Sequence, residues 1–218
     1  SAYDLTTAIG VMAAGELIHT DLLEETIIMG ELSLDGGLLP IKGALPIAIQ
    51  ANKDGFKKLI LPKENAREAA IVTGLEVYGL ETLKEVIQLL QGEKEFDRTI
   101  VNPRDEFAEN VTHMTYDFSD VKGQENIKRA MEIAAAGGHN IILIGPPGAG
   151  KTMLAKRLNT ILPPMNLHEA LETTKIHSVA GRLGSNATLM AQRPFRSPHH
   201  TISDVALVGG GNNPQPGE

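Results

Sequence analysis

The sequence predicts an α/β protein, and three observations lead to that prediction. Residues 1–92 alternate short β-type runs with amphipathic helical runs, which is typical of a parallel sheet covered by helices. From Tyr116 the same rhythm restarts as helix, apolar strand, glycine-rich loop and helix. Of the 218 residues, 42% are hydrophobic, which is enough to bury the core of one large domain or two modest ones.

The predicted strands of the first region are rich in Ile, Leu and Val and are bounded by turn residues. The first of them runs into Asp35-Gly36-Gly37, a strong turn signal, so we expect it to pair with the strand that follows. The predicted strands are 26–34, 38–43, 57–62 and 75–80.

The predicted helices of this region carry apolar residues at helical spacing. Gly55 and Gly92 stand at the ends of two of them, where glycine readily takes the left-handed backbone that ends a helix. The predicted helices are 5–14, 44–55, 64–74 and 81–92.

Residues 93–115 interrupt the rhythm and are predicted to be a linker between domains at 1–92 and 116–218. The segment holds six acidic and three basic residues and a proline. Its apolar side chains need cover, so we expect an ordered linker; these are Phe96, Ile100, Val101 and Phe107. Beyond it the sequence predicts a helix over 126–138, a buried strand over 140–145, a helix over 152–162 ended by two prolines, and a helix starting at 167.

Composition and charge exclude several classes of protein. The net charge is −7, so any contact with nucleic acid must come from a local basic patch. There is no cysteine, hence no disulfide and no thiolate chemistry, which is typical of a reducing cytosol, and we expect a cytoplasmic protein. The sequence contains no run of about 18 apolar residues, so it predicts no membrane-spanning helix. The sequence begins without methionine, and we expect a fragment.

The strongest motif is a phosphate-binding loop of the form G-x-x-x-x-G-K-[ST], preceded by an apolar run and followed by a helical one. Its glycines allow backbone N–H groups to turn toward phosphate oxygens, and the helix that follows adds its positive end. Lys151 is the candidate that neutralises the β- and γ-phosphates of ATP, and Thr152 is the candidate ligand of Mg²⁺. The motif comprises Gly145, Pro146, Pro147, Gly148, Ala149, Gly150, Lys151 and Thr152, and Met153 follows it.

The segment Asp120-Val121-Lys122-Gly123-Gln124 resembles the adenine-side segment of AAA+ ATPases. By that resemblance Val121 and Gly123 would back the base of the nucleotide. Such ATPases also need an acidic residue on a second strand to hold Mg²⁺ and orient water, and none follows Thr152 in the required context. We therefore expect a truncated chain that binds nucleotide and hydrolyses it poorly.

The stretch Arg193–His200 reads R-P-F-R-S-P-H-H and lies in a run without acidic residues, from Thr173 to Ser203. In a chain of net charge −7 this is a marked asymmetry. Arginines are suited to grip phosphate oxygens, and Phe195 to stack on a base. A nucleic-acid contact, a subunit-interface or nucleotide-sensing role, a metal site and a plain surface loop all remain open. The nucleic-acid candidates are Arg193, Phe195, Arg196, His199 and His200.

Residues 180–218, together with the phosphate loop, resemble the magnesium-chelatase-like AAA+ family known as YifB or ComM. The distinctive part is R-P-F-R-S-P-H-H-T-I-S-D-V-A-L-V-G-G-G. The resemblance implies an ATP- and Mg²⁺-dependent ring, a homo-hexamer, that acts as a motor on DNA during recombination. A chelatase-type or protein-remodelling ATPase without a DNA role is the alternative.

Residues 29–66 resemble the core of the Lon protease domain, whose fold is like domain 2 of ribosomal protein S5. The resemblance implies an α/β Lon-like domain followed by the N-terminal part of a P-loop AAA+ domain. Lon uses a Ser-Lys dyad, but Leu45 stands at the position of the lysine, Lys42 comes three positions early, and Ser1 lies near the serine position. We therefore expect a non-catalytic domain, and a Ser-Lys peptidase is the weaker alternative.

Overall fold

The structure is a computed structural model of residues 1–218, and it describes residues 1–112, 116–184, 188–211 and 214–218. Nine α-helices occur in these described ranges. They are α1 (Asp4–Ala14), α2 (Ala44–Lys53), α3 (Lys63–Ala69), α4 (Leu83–Gln91), α5 (Pro103–Thr112), α6 (Glu125–Gly137), α7 (Lys151–Arg157), α8 (Leu167–Val179) and α9 (Asp204–Val208).

A three-stranded parallel sheet organises the N-terminal region, with β1 (Thr26–Ile28) and β5 (Glu76–Leu80) on either side of β4 (Lys58–Pro62). The strands β2 (Glu31–Leu32) and β3 (Leu38–Leu39) form the hairpin predicted from the Asp35-Gly36-Gly37 turn. Two further short strands pair near the C-terminus, β6 (Gly209–Gly210) and β7 (Gln215–Pro216). The mixed α/β class with a parallel sheet is confirmed.

The parallel sheet is buried on both faces because its side chains alternate between two helical layers. Leu59, Leu61 and Val77 point to the layer of α2 and α3, where a run of alanines allows close approach. Ile60 and Leu80 point to the opposite layer, where they meet apolar side chains of α1 and α4. The sandwich of helix, sheet and helix therefore follows from the apolar strands that the sequence contains.

Local signals explain where the helices of this region start and stop. In α4 the side chain of Thr82 accepts from the N–H of Glu85, whose carboxylate accepts from the N–H of Thr82. Gly92 ends the helix with a φ of 69°. Asn166 and Glu169 form the same reciprocal cap at the start of α8.

A third apolar cluster joins the N-terminal region to α8 and to the chain beyond it. Leu45 of α2 and Ile71 meet Met165, Ala170 and Leu189, and all five are buried. Partly buried side chains of 101–107 complete the cluster, namely Val101 and Phe107. The two halves of the sequence therefore share one continuous core at this place.

Several expectations are corrected by the structure. Residues 140–145, predicted as a buried strand, pair with no strand within the described residues, and Ile142 and Ile144 are 81% and 88% exposed. An isolated apolar run becomes a strand only where a neighbouring strand supplies hydrogen bonds. The helix predicted over 152–162 continues from Leu158 as a 3₁₀ turn, and the helix predicted over 64–74 ends at Ala69.

The segment predicted as a linker contains the helix α5, which the sequence analysis did not predict. Asn102 caps it, since its Oδ1 accepts from the N–H of Arg104. Phe96, Val101 and Phe107 are packed against cores as expected. The expectation for Ile100 was wrong, because its side chain is 75% exposed.

Candidate functional site

The phosphate loop forms an open turn directly before α7. Gly148 and Gly150 have φ values of 80° and 81°, in the left-handed region that favours glycine, and the N–H of Ala149 donates to the carbonyl of Pro146 at 3.3 Å. A Cβ added to Gly148 would have no atom within 4 Å, so the outer side of the turn is open. The residues at this turn thus fit a phosphate group.

Lys151 spans the loop from the first residue of α7. Its Nζ donates to the carbonyl oxygens of Gly145 at 2.8 Å and Pro146 at 2.7 Å. The ammonium group of Lys151 is therefore held by backbone carbonyls at the start of the same loop. The next residue, Thr152, is exposed in the first turn of the same helix, and Met153 is 38% exposed.

The predicted adenine-side segment lies beside this loop. The Nε2 of Gln124, the residue after Gly123, lies 3.7 Å from the place of a Cβ added to Gly150. Both Gly123 and Gln124 have positive φ values, 66° and 58°, which bend the chain before α6. Val121 is only 2% exposed, so its side chain belongs to the local core. Its partners there are Phe118, Met131 and Leu154.

Arg157 connects the adenine-side segment to the helix of the phosphate loop, a role that the sequence analysis missed. Its Nη2 lies 3.1 Å from Oδ2 of Asp120, its Nε donates to the carbonyl of Asp117 at 3.2 Å, and it lies over the ring of Tyr116. A hydrogen bond from the Asp117 backbone, and after it the guanidinium of Arg157, hold the pKa of Asp120 below its ordinary value. The partners are 37 positions apart or more, so no local pattern indicated the contact.

Arg193 is tied into the fold rather than directed to solvent. Its Nε donates to the carbonyl of Pro163 at 2.9 Å, and its Nη2 lies 3.5 Å from Oε2 of Glu169. Its own carbonyl accepts from Nδ2 of Asn159 at 2.9 Å. These contacts anchor the start of the R-P-F-R-S-P-H-H stretch against the end of the 3₁₀ turn and the start of α8.

Three of the remaining nucleic-acid candidates, Phe195, Arg196 and His199, help to line a surface groove of about 400 Å³, and His200 does not. Phe195 is 38% exposed. The ring of His199 lies 4.2 Å from that of His200, and its Nδ1 is 2.7 Å from Oγ1 of Thr201. Within the described parts of the chain, no three His, Asp or Glu side chains are grouped to hold a metal ion.

The position that the Lon resemblance assigns to the dyad lysine is filled by Leu45, which is 0% exposed. Helix α3 fixes both the loop before α2 and the first turn of α2: Asn65 exchanges two hydrogen bonds with the backbone of Ile41, and the N–H of Leu45 donates to Glu68 at 3.0 Å. Helix α8 lies over this place, and the carbonyl of Ser178 accepts from the N–H of Gly43 at 3.1 Å. An aliphatic side chain sealed under a helix offers no base for peptide hydrolysis.

Lys42, the lysine nearest to the dyad position, packs its stem on Gly181, where an added Cβ would lie 2.6 Å from its Cε. In the described ranges, no helix has the length and apolarity to cross a bilayer.

The fold and the loop define the chain as an α/β protein with a glycine-rich turn before a helix, and comparison with known proteins gives its family. Two family models match, "Magnesium chelatase, subunit ChlI" over residues 117–218 and "Subunit ChlI of Mg-chelatase" over residues 1–65. The chain belongs to this magnesium-chelatase-like family.

Curated relatives agree with that assignment. The chain is 44% identical to the uncharacterized protein YifB of Escherichia coli and 40% identical to the competence protein ComM of Haemophilus influenzae, each over 216 residues and 99% of this chain. It spans 41% and 42% of the lengths of these relatives. It is also 36% identical over 97 residues to Lon protease 2 of Bacillus subtilis, covering 42% of this chain and 16% of that protein. The family resemblance and the Lon-like similarity are both confirmed.

Proposed function

We propose that the chain binds ATP with Mg²⁺ at the phosphate loop, as part of a AAA+ ATPase of the magnesium-chelatase-like family. The observation that carries the proposal is the turn at Gly145–Thr152, where two left-handed glycines open the backbone and Lys151 bridges it. The adjacent segment at Val121–Gln124 adds a second wall of the same site.

Each residue of the site has a distinct part in this proposal. The loop N–H groups bind phosphate oxygens, and Lys151 exchanges its two carbonyl partners for the β- and γ-phosphates. The hydroxyl of Thr152 is the proposed ligand of Mg²⁺, which supplies charge neutralisation when bound. Gly123 lets the chain pass close to the base, while Val121 acts from the core beneath it.

We extend the proposal to the whole protein as an ATP-driven homo-hexameric ring that acts on DNA in the cytoplasm. Three observations support it: the family, the acid-free run over Thr173–Ser203, and the groove at Phe195, Arg196 and His199. Arg193 has a different part here, because its contacts hold the loop that presents the groove. Aromatic stacking on bases together with arginine contacts to phosphates is a common mode of binding single strands.

Nucleotide binding is tested by titrating a fluorescent ATP analogue in the presence of Mg²⁺. We expect Lys151→Ala to weaken binding by at least about tenfold, because a charge-assisted contact to phosphate is lost. Lys156→Ala on the exposed side of the same helix is the matched control and should bind like the wild type. Equal affinities of the two variants would contradict the proposed site.

DNA binding by the full-length protein is tested by fluorescence anisotropy with single-stranded, duplex and forked DNA over a salt series. We expect binding that requires a non-hydrolysable ATP analogue and falls steeply with salt, as phosphate contacts do. ATPase activity without binding to any DNA would refute the motor and favour the protein-remodelling or chelatase-type alternative.

A further inference from the structure

Two arginines from separate parts of the chain meet on the carboxylate of Glu218. The Nη2 of Arg182 lies 2.9 Å from Oε1 of Glu218, and the Nη2 of Arg196 donates to Oε2 of the same side chain. Each guanidinium thus takes one of the two oxygens. The arrangement is a two-armed anion site that currently holds a carboxylate.

All three side chains are placed by their backbones. The N–H of Arg182 donates to the carbonyl of His177 at 2.8 Å, in the turn that ends α8. Arg196 follows Phe195 in the anchored stretch, and the N–H of Glu218 donates to the carbonyl of Ala206 in α9 at 3.0 Å. Three separate segments of the chain therefore bring these charges together. Their backbone positions, and not only the flexibility of the side chains, account for the contact.

The site is open to exchange. The exposed fractions of the side chains are 36% for Arg182, 37% for Arg196 and 25% for Glu218, so water and solute reach the pair. Both Arg196 and Glu218 also line the groove that contains Phe195 and His199. Ion pairs at such exposure hold their partners weakly and are easily displaced.

We propose that Arg182 and Arg196 form a clamp for a phosphodiester of a nucleic-acid strand, and that Glu218 closes this clamp until the strand displaces it. The proposal rests on the DNA role proposed above. It adds the site that binds the phosphate and the carboxylate of Glu218 that competes with the phosphate for this site. Guanidinium groups donate to phosphate and carboxylate oxygens alike, so a carboxylate that accepts one N–H from each of two arginines is a template for a phosphate. A strand held there would place a base within reach of Phe195 in the same groove.

The test is a set of variants in the full-length protein, with a fluorescein-labelled single strand and a non-hydrolysable ATP analogue. We expect Glu218→Gln to lower Kd by about three- to tenfold, because the competing charge is removed. We expect Arg182→Ala/Arg196→Ala to raise Kd at least about tenfold and to reduce the salt slope by about 0.7, which corresponds to one single-strand phosphate contact. In that double variant, adding Glu218→Gln should change nothing further.

A second ion pair in the chain provides the matched control. Arg129 and Glu132 pair on α6 at 2.9 Å. Glu132→Gln changes the net charge as Glu218→Gln does, and Arg129→Ala removes one positive charge as each of the two clamp substitutions does, so both controls should leave Kd within about twofold. Far-UV circular dichroism reports whether each variant is folded. Unchanged DNA affinity in Glu218→Gln, or equal effects of the two pairs, would overturn the clamp.

The outcomes separate the clamp from the DNA role on which it rests. Wild-type binding that ignores Arg182, Arg196 and Glu218 sinks the clamp and leaves the DNA role standing, whereas no wild-type binding at all sinks both. If Glu218→Gln changes the affinity for the ATP analogue and not for DNA, the anion that the arginines hold belongs to nucleotide, and the proposal is wrong.

Discussion

Truncation of Leu45 is expected to destabilise the protein strongly, because this side chain joins the N-terminal region to α8. Leu45 is 0% exposed and packs with Ile71, Met165, Ala170 and Leu189. Leu45→Ala removes three carbon atoms, worth about 2.4 kcal/mol at about 0.8 kcal/mol each. A residual cavity on the order of 50 Å³ adds about 1.2 kcal/mol at about 24 cal/mol per Å³. The expected loss in the free energy of unfolding is about 3.5 kcal/mol.

Urea unfolding followed by circular dichroism measures this loss. With a slope of about 2–3 kcal/mol per molar urea, the midpoint should fall by more than about 1 M. Leu34→Ala is the matched control, because Leu34 is fully exposed and its truncation should change stability by less than about 0.5 kcal/mol. A loss below about 1 kcal/mol for Leu45→Ala would refute the shared core.

The same position gives a test of the peptidase alternative. Leu45→Lys places a lysine where the Lon resemblance has its dyad lysine, but the ammonium would be buried among the apolar side chains that now contact Leu45. We therefore expect a protein less stable than Leu45→Ala and without peptidase activity in a casein or fluorogenic-peptide assay. Cleavage by this variant, abolished by changing Ser1, would show that the Lon-like dyad can be rebuilt.

Three further predictions concern the sheet, a helix and the pH response. Gly79→Ala should cost at least about 2–3 kcal/mol in urea unfolding, because its Cβ would lie 2.4 Å from that of Ala66 on α3. Gly10→Ala should instead stabilise α1 by about 0.5–1 kcal/mol, since nothing lies within 4 Å of the added atom; a loss of stability there would contradict the helix. The pKa of Asp120 is lowered, so its contribution is present above the unfolded pKa of about 3.9 and is lost as pH falls through the folded value. The melting temperatures of wild type and Asp120→Asn should therefore differ at pH 6–8 and converge as the pH falls through the lowered pKa of Asp120, and a difference that persists in strong acid would refute the assignment.

The parallel sheet could be predicted from sequence because its signals are local. Apolar runs such as 57–62 carry alternate side chains to two layers, and glycines such as Gly92 mark helix ends, so each segment specifies its own structure. The strand predicted over 140–145 was wrong because its formation depends on a signal that is not local. A strand exists only with a partner, and no periodicity within six residues shows whether one is present.

In the candidate site, too, the local features could be predicted from sequence and the contacts between distant positions could not. The phosphate loop is one continuous motif, so all its residues were assigned from sequence, and the structure places them in a single turn. The electrostatic prediction for the acid-free run was less accurate. Its fixed cations Lys175, Arg182, Arg193 and Arg196 all pair with carboxylates, which lie outside the run at Glu172, Glu169 and Glu218. Charge counted along the chain misses partners that folding brings from elsewhere.

Helix α8 connects Leu45, the position that the Lon resemblance assigns to the dyad lysine, with the proposed clamp. Ala170, near its start, lies in the cluster that buries Leu45, and Ser178, near its end, accepts from the backbone of Gly43. Four residues later Arg182 reaches Glu218. A helix packed along one side moves as a unit because its interior contacts are close-packed. The leucine at position 45 therefore has a structural consequence: its apolar side chain seats the helix after which Arg182 reaches Glu218.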